Sequence, residues 1–347
     1  MVTIKDVARA AGVSVATVSR VHNDSTQVTE DTRGRVRAVA ARLGYSPHSG
    51  ARSLSTRKTN GIGVLLPDLH GEFYSELIRG IDQRAQRHGF HLLLASSHNE
   101  KAAIAAALQS MRGRVDGLIV MSPAPGAHLP VRDLPASFPV VLLNSAAVGA
   151  EFDALAVANA QGSAQMVEHL IAAGHTRIAV IKGPVRNHDA AERLRGYRTA
   201  LREAGIAADE ALEAQGDFTD TSGYAAGLEL LRRVPRPTAI FAANDAMAIG
   251  ALSALREAGV GVPQEMAVAG FDDIPMARYM HPPLSTVRVD IAALGERATD
   301  RLLEAVASRR RHKKRREVVP VTLVIRESCG GGGDRSSAIS PVRRDAS

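Results

Sequence analysis

The chain carries near its amino terminus the stretch TIKDVARAAGVSVATVSRV, residues 3–21. Thr3 can cap a first helix, with Asp6 completing a short capping box, and apolar residues follow at helical spacing. Gly12 supplies the conformational freedom for a tight turn, and Ser14 is suited to cap a second helix. Two short helices joined by such a turn predict a helix-turn-helix.

The second predicted helix has a distinct outer face. The side chains that remain there are Val15, Ala16, Thr17, Ser19 and Arg20. Arg20 can bond guanine O6 and N7 in bidentate fashion, whereas Val15 and Ala16 offer only apolar contact, as to a thymine methyl. Thr17 and Ser19 suit phosphate contacts, which position a protein without specifying sequence. This geometry fits the major groove of DNA. The alternative for Val15 and Ala16 is ordinary burial within the helix.

The sequence of residues 3–21, together with Asn23, resembles the lactose-repressor/galactose-repressor (LacI/GalR) family almost residue for residue. The resemblance implies that Val15, Ala16 and Arg20 contact bases. It also implies an N-terminal all-α helix-turn-helix headpiece of the lambda-repressor type, followed by an α/β two-lobed sensor domain like a periplasmic binding protein. The predicted DNA-binding residues are Thr3, Ser14, Val15, Ala16, Thr17, Ser19, Arg20, Asn23, His48, Ala51 and Leu54.

A third helix is predicted from Thr29 to Leu43, followed by a hinge and linker over residues 46–60. A helix of about two turns in the hinge would be marginal in isolation, and Gly50 costs it roughly another 1 kcal/mol relative to Ala. We therefore expect it to order only against DNA or a second copy. The resemblance implies that Leu54 inserts into the minor groove and kinks the operator centre. The energy needed to unstack the bases is offset because the bent duplex encloses more of the protein surface.

From Gly61 onward, short apolar runs alternate with longer amphipathic ones in two successive series. This alternation predicts two lobes, each built on a parallel sheet, with a ligand cleft beyond the carboxyl ends of the strands. The predicted strands are 61–66, 91–95, 117–121, 140–143, 178–181, 239–242 and 267–269. The predicted helices are 72–88, 102–111, 160–173, 190–204 and 291–306.

The resulting domain limits are residues 1–45 for the headpiece, 46–60 for the hinge, 61–328 for the sensor and dimerisation domain, and 329–347 for a disordered tail. Within the sensor, the first lobe comprises about 61–158 and 288–318, and the second about 159–287 and 319–328. The family resemblance extends to about Ser328 through stretches such as residues 193–197, 243–250 and 270–273.

Polar residues that follow the predicted strands are candidates for effector binding. Carboxylates and amides converging with an arginine suit hydroxyl groups, and aromatic rings can stack on a sugar or base. The candidates are Asp68, Phe73, Tyr74, Asn144, Asn187, Asp189, Arg193, Phe218, Asn244 and Asp272. The resemblance implies Arg193, Asn244 and Asp272 as the strongest ligands. The alternatives are that Asn244 only caps a helix and that Asp272 only begins a turn.

Charge is unevenly distributed along the 347 residues. The chain carries a formal net charge of +7, with +6 in residues 1–60, +7 in residues 301–347 and −6 between them. Basic ends on an acidic body fit binding of a polyanion. The run of eight basic residues from Arg309 to Arg316 can add phosphate affinity. The alternative is a mobile, solvated loop.

Several functional classes find no support in the sequence. The single cysteine, Cys329, cannot form an internal disulfide, no apolar run is long enough to span a membrane, and no secretory signal is evident, so we expect a cytoplasmic protein. We predict no cofactor, no metal site and no enzymatic activity, because phosphate-loop, metal-ligand and nucleophile motifs do not occur.

These observations predict a homodimeric transcriptional repressor whose binding to double-stranded operator DNA is controlled by a small-molecule effector, with a sugar favoured. Two alternatives stay open at this point. A purine-type, corepressor-dependent regulator would share the whole organisation. A periplasmic-type solute-binding protein would share the two-lobed body, but would need a signal peptide and would not carry residues 1–60.

Overall fold

A computed structural model describes residues 2–22, 27–45, 59–98, 100–121, 134–135, 137–144, 152–308 and 312–330. The chain forms two compact units, a small one that ends at Asn60 and a large one that begins at Gly61. The predicted hinge residues 46–58, including His48, Ala51 and Leu54, lie outside the described residues, as does Asn23.

The small unit is a headpiece of three helices: α1 (Ile4–Ala11), α2 (Val15–His22) and α3 (Glu30–Arg42). One carboxylate oxygen of Asp6 accepts hydrogen bonds from the backbone N and the hydroxyl of Thr3, at 3.0 and 2.7 Å, which fixes the start of α1. Gly12 ends α1 with φ 64°, a left-handed conformation that favours glycine. Apolar side chains from all three helices form the core: Val7, Ala8, Ala11, Val18, Val21, Val36, Val39 and Ala40.

The first lobe of the large unit has a six-stranded parallel sheet in the order β11-β5-β4-β3-β1-β2. Most of its strands are buried on both faces, as expected for parallel strands covered by helices. In chain order its elements are β1 (Gly61–Leu66), α4 (Glu72–Arg87), β2 (His91–Ser96), α5 (Lys101–Met111), β3 (Gly117–Met121), β4 (Val140–Leu143), β5 (Asp153–Val157) and the returning β11 (Arg316–Val319).

The second lobe has a sheet in the order β12-β10-β9-β8-β6-β7, parallel except for the β10–β12 pair. Short 3₁₀ turns at Pro275–Tyr279 and Glu327–Cys329 complete it. In chain order its other elements are α6 (Asn159–Ala172), β6 (Ile178–Lys182), α7 (His188–Glu203), β7 (Glu213–Gln215), α8 (Asp220–Leu231), β8 (Ala239–Ala242), α9 (Asp245–Glu257), β9 (Ala267–Asp272), β10 (Ser285–Arg288) and β12 (Thr322–Val324).

The last long helix, α10 (Ile291–Ser308), leaves the second lobe and packs on α4 of the first. The two helices approach so closely that a Cβ on Gly80 would lie 2.1 Å from the carbonyl oxygen of Ala292, and one on Gly295 would lie 2.5 Å from that of Leu77. Glycine at both positions therefore permits this contact, which holds the crossover segment against the first sheet.

The pattern-based elements agree with the structure to within a few residues at most ends. Strand β9 is longer than predicted, because it continues to Asp272 rather than ending at Ala269. The short strands β5, β7, β10, β11 and β12 and the helix α8 were not predicted, and α9 was predicted only as the helix that Asn244 opens. Cys329, which the sequence assigned to the tail, is buried in the last 3₁₀ turn. No helix in the described ranges is long and apolar enough to cross a membrane.

Candidate DNA-contacting surface and effector cavity

Two buried valines determine which face of α2 is exposed. Val18 and Val21 are packed into the headpiece core, which leaves Val15, Ala16 and Arg20 exposed. Val15 is 41% exposed, although it is apolar. The structure thus disfavours the alternative that Val15 and Ala16 are buried helix residues.

Several of the remaining polar candidates of the headpiece make hydrogen bonds at the helix ends. Ser14 Oγ accepts a hydrogen bond from the backbone N of Thr17 at 3.1 Å, and its hydroxyl lies 2.9 Å from that of Thr17. Thr3 is bonded to Asp6 as described above, and Ser19 is half-buried. These hydroxyls shape the turn before α2, and their contact with phosphate stays a prediction.

A cavity in the large unit lies where the carboxyl ends of the two sheets face each other. It encloses about 650 Å³ when the part open to solvent is counted. The residues that line it are His70, Gly71, Glu72, Phe73, Tyr74, Met121, Asn187, Asp189, Arg193, Phe218, Asn244, Ala246, Asp272 and Ile274. Eight of the ten predicted effector residues are therefore brought together.

Arg193, on α7, is the organising group of the cavity and is almost fully buried. Its Nε donates to Asn159 Oδ1 at 2.8 Å, one terminal nitrogen donates to the carbonyl of Ala243 at 2.6 Å, and the other lies 3.0 Å from Asp272 Oδ1. The guanidinium carbon also lies 3.8 Å from the ring centroid of Phe271. These contacts hold the cation in one orientation, with its charge beside the cavity.

Two carboxyls of the cavity have strongly raised pKa values. Burial raises the pKa of Asp189 to about 7, and the repulsion of Asp272 adds to the effect that Arg193 opposes. Asn159 Nδ2 also donates to Asp189 Oδ1 at 2.8 Å. Burial raises the pKa of Asp272 to about 6, although the Arg193 guanidinium opposes the rise. Both groups are therefore desolvated hydrogen-bonding partners that a polar ligand would stabilise.

A third buried carboxyl, Asp245, supports the cavity from behind. Burial raises its pKa well above the usual value. It accepts hydrogen bonds from Thr286 Oγ1 at 2.5 Å and from the backbone N of Ile274 at 2.9 Å. A Cβ on Gly270 would lie 2.2 Å from Asp245 Oδ1, so glycine is needed there. Asp245 thereby fixes the loop after β9, next to Asp272.

Two asparagines of the cavity also cap helices. Asn187 Oδ1 accepts from the backbone N of Ala190 at 3.0 Å, and Asn244 Oδ1 accepts from that of Met247 at 3.0 Å. The Nδ2 of Asn244 donates to the carbonyl of Phe218 at 3.0 Å. Asn244 is thus a helix cap, as the alternative had it, and it lines the cavity as well.

Aromatic rings form the apolar walls. The rings of Phe73 and Tyr74 meet edge to face with centroids 5.6 Å apart. Phe218 has φ 76°, and its ring covers Gly183 so closely that a Cβ there would lie 2.5 Å away. Burial, followed by the charges of Asp68 and Asp272, raises the pKa of the Tyr74 phenol, so it stays a neutral donor and acceptor.

Two predicted effector residues are not in the cavity lining. Asp68 Oδ1 accepts from the backbone N of Leu69 at 2.7 Å and of His70 at 3.1 Å, so it turns back onto its own loop. Asn144 is buried, with its Oδ1 accepting from Val157 N at 3.3 Å. Asn144 lowers the pKa of Asp189, but among the described residues its Nδ2 makes no hydrogen bond of regular geometry.

Sequence reasoning missed two residues that matter to this cavity. Asn159 joins Arg193 to Asp189, and it was overlooked because it begins a helix rather than following a predicted strand. Glu72 Oε2 accepts from the backbone N of Met276 at 2.9 Å, which links the first lobe to the second beside the cavity. No local signal in the sequence identifies this pairing, since the two residues are 204 positions apart.

Burial of Asp189 and Asp272 predicts that the ligand-free protein loses stability as the pH rises. Because the folded-state pKa lies above the unfolded value, the stabilising contribution is complete below about pH 4 and is lost as the pH passes the folded value, about 7 for Asp189. We expect the free energy of unfolding to fall between about pH 4 and 7, by at most ~1.4 kcal/mol per pH unit for each group. Denaturant unfolding at a series of pH values measures this.

The matched comparison is Asp189→Asn, which should flatten the profile. Burial lowers the pKa of His169 and His175, so these groups impose the opposite slope, but they are present in both proteins. An equal pH dependence of stability in the wild type and in Asp189→Asn would contradict the raised pKa of Asp189.

Comparisons with known proteins agree with this arrangement. Residues 3–48 match the family described as bacterial regulatory proteins, lacI family, and residues 167–329 match a periplasmic binding protein-like domain. The ribose operon repressor of Escherichia coli K12 is 38% identical over 310 residues, which cover 88% of this chain and 93% of that one. The HTH-type transcriptional repressor PurR of Klebsiella pneumoniae is 38% identical over 313 residues, or 89% and 92% of the two chains.

A solved structure of the lac repressor dimer, bound to operator and the anti-inducer ONPF, aligns with a TM-score of 0.83 and 31% identity over 94% of this chain and 99% of that one. The predicted fold class is confirmed by these matches. With an exposed α2 face, a buried polar cavity between two lobes and relatives that align over nearly their full length, the chain belongs to the LacI family of bacterial regulatory proteins and is an effector-controlled, DNA-binding repressor.

Proposed function

We propose that the effector is a neutral sugar and that it binds in the cavity around Arg193, with Asp189, Asp272, Asn187 and Asn244 as polar partners. The observation that carries this proposal is the presence of aromatic walls and desolvated carboxyls in one cavity. Hydroxyl groups can donate to carboxylates and accept from a guanidinium at the same time. The apolar face of a sugar ring can pack on an aromatic side chain.

The charge of the lining favours an uncharged ligand. Glu72, Asp189 and Asp272 bring carboxyl groups to the cavity, and the charge of Arg193 is already shared with Asp272. A phosphate would add negative charge to a buried site, where the dielectric constant is lower than in water and like charges repel more strongly. Sugar phosphates should therefore bind much more weakly than the corresponding free sugars.

The relatives by themselves leave the effector open. The ribose operon repressor carries a sugar in its name, yet PurR is equally similar to this chain. A purine-type corepressor is therefore the alternative, and it would stack on the same aromatic rings. The abundance of carboxyl groups favours hydroxyl-rich ligands, and direct binding separates the two.

On the DNA side, we propose that two copies bind a near-palindromic operator as a homodimer. Arg20 would contact guanine, Val15 and Ala16 would contact thymine methyl groups, and Thr17 and Ser19 would contact phosphates. A sugar that closes the cleft would act as an inducer, because its preference for one conformation shifts the population away from the DNA-binding form. Leu54 at the operator centre stays a prediction from family resemblance.

The proposal also covers the absence of enzymatic activity and the location of the protein. The protein would bind its effector without converting it, and as a regulator of bacterial transcription it would act in the cytoplasm. Among the described residues no cluster of His, Cys, Asp or Glu forms a metal site. Incubation of candidate sugars with the purified protein, followed by chromatography, should return them unchanged.

A ligand screen by thermal unfolding tests the sugar proposal. We expect at least one neutral sugar to raise the melting temperature, whereas sugar phosphates and purines leave it unchanged. Asp189→Asn should weaken that sugar by roughly 10- to 150-fold, as expected when a hydrogen bond to a charged group of about 1.5–3 kcal/mol is removed. Isothermal titration calorimetry measures the affinity.

The control for this variant is Asp82→Asn, an aspartate of α4 whose carboxylate bonds only to Gln86 in the described contacts. It should bind the sugar like the wild type. A purine that stabilises the protein while no sugar does would overturn the sugar proposal. Equal sugar affinity in both variants would show that Asp189 does not contribute to sugar binding.

A further inference from the structure

The basic run at residues 309–316 is only partly described, but its second half is well defined. Lys313, Lys314 and Arg316 are exposed, and together we call them the basic edge. Arg316 is the first residue of β11. The family-level function assigns no role to these three cations, which makes them a separate feature of the body.

A buried carboxylate anchors the backbone from which the basic edge projects. Asp153 is 2% exposed, and one of its oxygens lies 2.6 Å from His312 Nε2. Its other oxygen accepts a hydrogen bond from the backbone N of Arg315 at 2.9 Å. The backbone is also tied to β5, since Ala154 N donates to the carbonyl of Arg315 at 3.0 Å. Residues 312–316 are therefore held in place, unlike a mobile loop.

The acidic groups around this segment are already paired. Glu304 lies 2.5 Å from the Arg315 guanidinium, and Glu317 binds both Arg297 and Arg301. Within the described part of the chain, neither Lys313 nor Arg316 makes an ion pair with a carboxylate. Local acidic groups thus leave the positive charges of these two residues available to a partner.

The topology places the basic edge on the same side of the first sheet as the start of β1, where the chain enters that sheet. Strands β1 and β11 are parallel to the strands between them, so their amino ends share one edge. Gly61 begins β1, and Arg316 begins β11. Four strand intervals of about 4.8 Å separate the two strands, or roughly 19 Å. The register places Arg316 level with Leu65, four residues or about 13 Å further along than Gly61, so the two strand starts lie roughly 23 Å apart. This is about the length of seven base pairs at about 3.4 Å each.

We propose that the basic edge binds the phosphate backbone of duplex DNA, as a second, sequence-independent contact beside the operator. The headpiece is joined to Gly61 by residues 46–60, which span at most about 50 Å when fully extended. DNA held by the headpiece therefore stays within reach of the amino edge of the first sheet. Lys313 and Arg316 can each neutralise a phosphate and release a counterion, and the exposed Lys314 adds positive charge beside them.

The acidic charge of the rest of the body restricts DNA contact to the basic edge. Residues 61–300 carry a net charge of −6, so most of the body repels DNA. The basic edge would offset that repulsion at the sheet edge near the headpiece attachment. This contact goes beyond the proposed function, because it does not depend on which effector the cavity binds or on which operator the headpiece selects.

The test is the salt dependence of DNA binding by the full-length protein. We would measure fluorescence anisotropy with a duplex of about 60 base pairs and arbitrary sequence for the wild type and for the triple variant Lys313→Gln, Lys314→Gln, Arg316→Gln. The slope of log affinity against log salt should become shallower by about 0.9 for each phosphate that is no longer neutralised. The loss of two such contacts, those of Lys313 and Arg316, reduces the ratio of the affinity at about 50 mM salt to that at about 200 mM salt by roughly 12-fold.

A charge-matched control removes three exposed cations of the second lobe: Arg202→Gln, Arg232→Gln, Arg256→Gln. It should keep the wild-type slope, and the conservative double variant Lys313→Arg, Lys314→Arg should keep it as well. Thermal unfolding should be unchanged in all variants, because the substituted side chains are exposed. A triple variant with the same slope as the charge-matched control would overturn the proposal, whether or not Arg20 is needed for operator binding.

Discussion

Replacing Arg193 with Ala should destabilise the large unit by about 3–5 kcal/mol and abolish the stabilisation by ligand, since a buried ion pair loses its cation. Asp272 and the bridging Asn159 would then be buried with unsatisfied polar atoms. Denaturant unfolding followed by circular dichroism measures the loss of stability. The melting temperature with and without the sugar found in the screen measures the loss of binding.

The same helix offers a matched control two residues away. Arg195 is exposed and pairs only with Glu192 among the described residues, so Arg195→Ala should change stability by less than ~1 kcal/mol. Because a buried carboxyl without its cation is protonated more easily, part of the stability missing from Arg193→Ala should return near pH 5. Equal stability of the two variants at neutral pH would show that Arg193 does not organise the cavity.

Replacing Arg20 with Ala should weaken binding to the specific operator by about 5- to 150-fold, which corresponds to 1–3 kcal/mol for a bidentate guanine contact. The operator for this test is one that the wild-type protein selects from random DNA sequences. Because Arg20 is exposed on α2, the substitution should leave headpiece stability unchanged. Affinity for the selected operator and for unrelated DNA, measured at one salt concentration, gives the specificity ratio.

Arg35→Ala is the matched control, since Arg35 is also exposed in the headpiece but lies on α3. It removes the same charge, and it should lower the two affinities by similar factors. Arg20→Ala should instead lower the ratio itself. If Arg20→Ala and Arg35→Ala lower the ratio equally, Arg20 does not read a base.

The limits of sequence-based prediction are clearest at the strand ends. Asp68 and Asn144 follow buried strands, as Asp189 and Asn244 do, yet neither lines the cavity. Asp68 is used by the amides of its own loop, whereas Asn144 is used by the backbone of β5. A polar residue after a strand can satisfy nearby backbone groups or face a ligand, and its spacing alone does not distinguish the two.

Three of the strands that were missed share a physical cause. Strands β7, β11 and β12 are three or four residues long and lie at sheet edges. Edge strands are partly exposed, so they lack the continuous apolar run that identifies β3, β4 and β8. Asn159 and Glu72 were missed for a different reason, since their partners are distant in sequence.

The sequence alone determined the headpiece, whose caps, turn and apolar spacing all lie within some forty residues. It also determined the alternating α/β pattern of the body and the family. Only the tertiary structure decided what the polar residues do: Arg193 meets partners 34 and 50 positions away, and Glu72 meets the second lobe. The basic edge likewise depends on the return of β11 parallel to β1, which turns its amino end toward the side of the first sheet where β1 begins. Local structure follows from short-range sterics and hydrogen bonds, whereas these sites depend on contacts between segments that the sequence pattern does not pair.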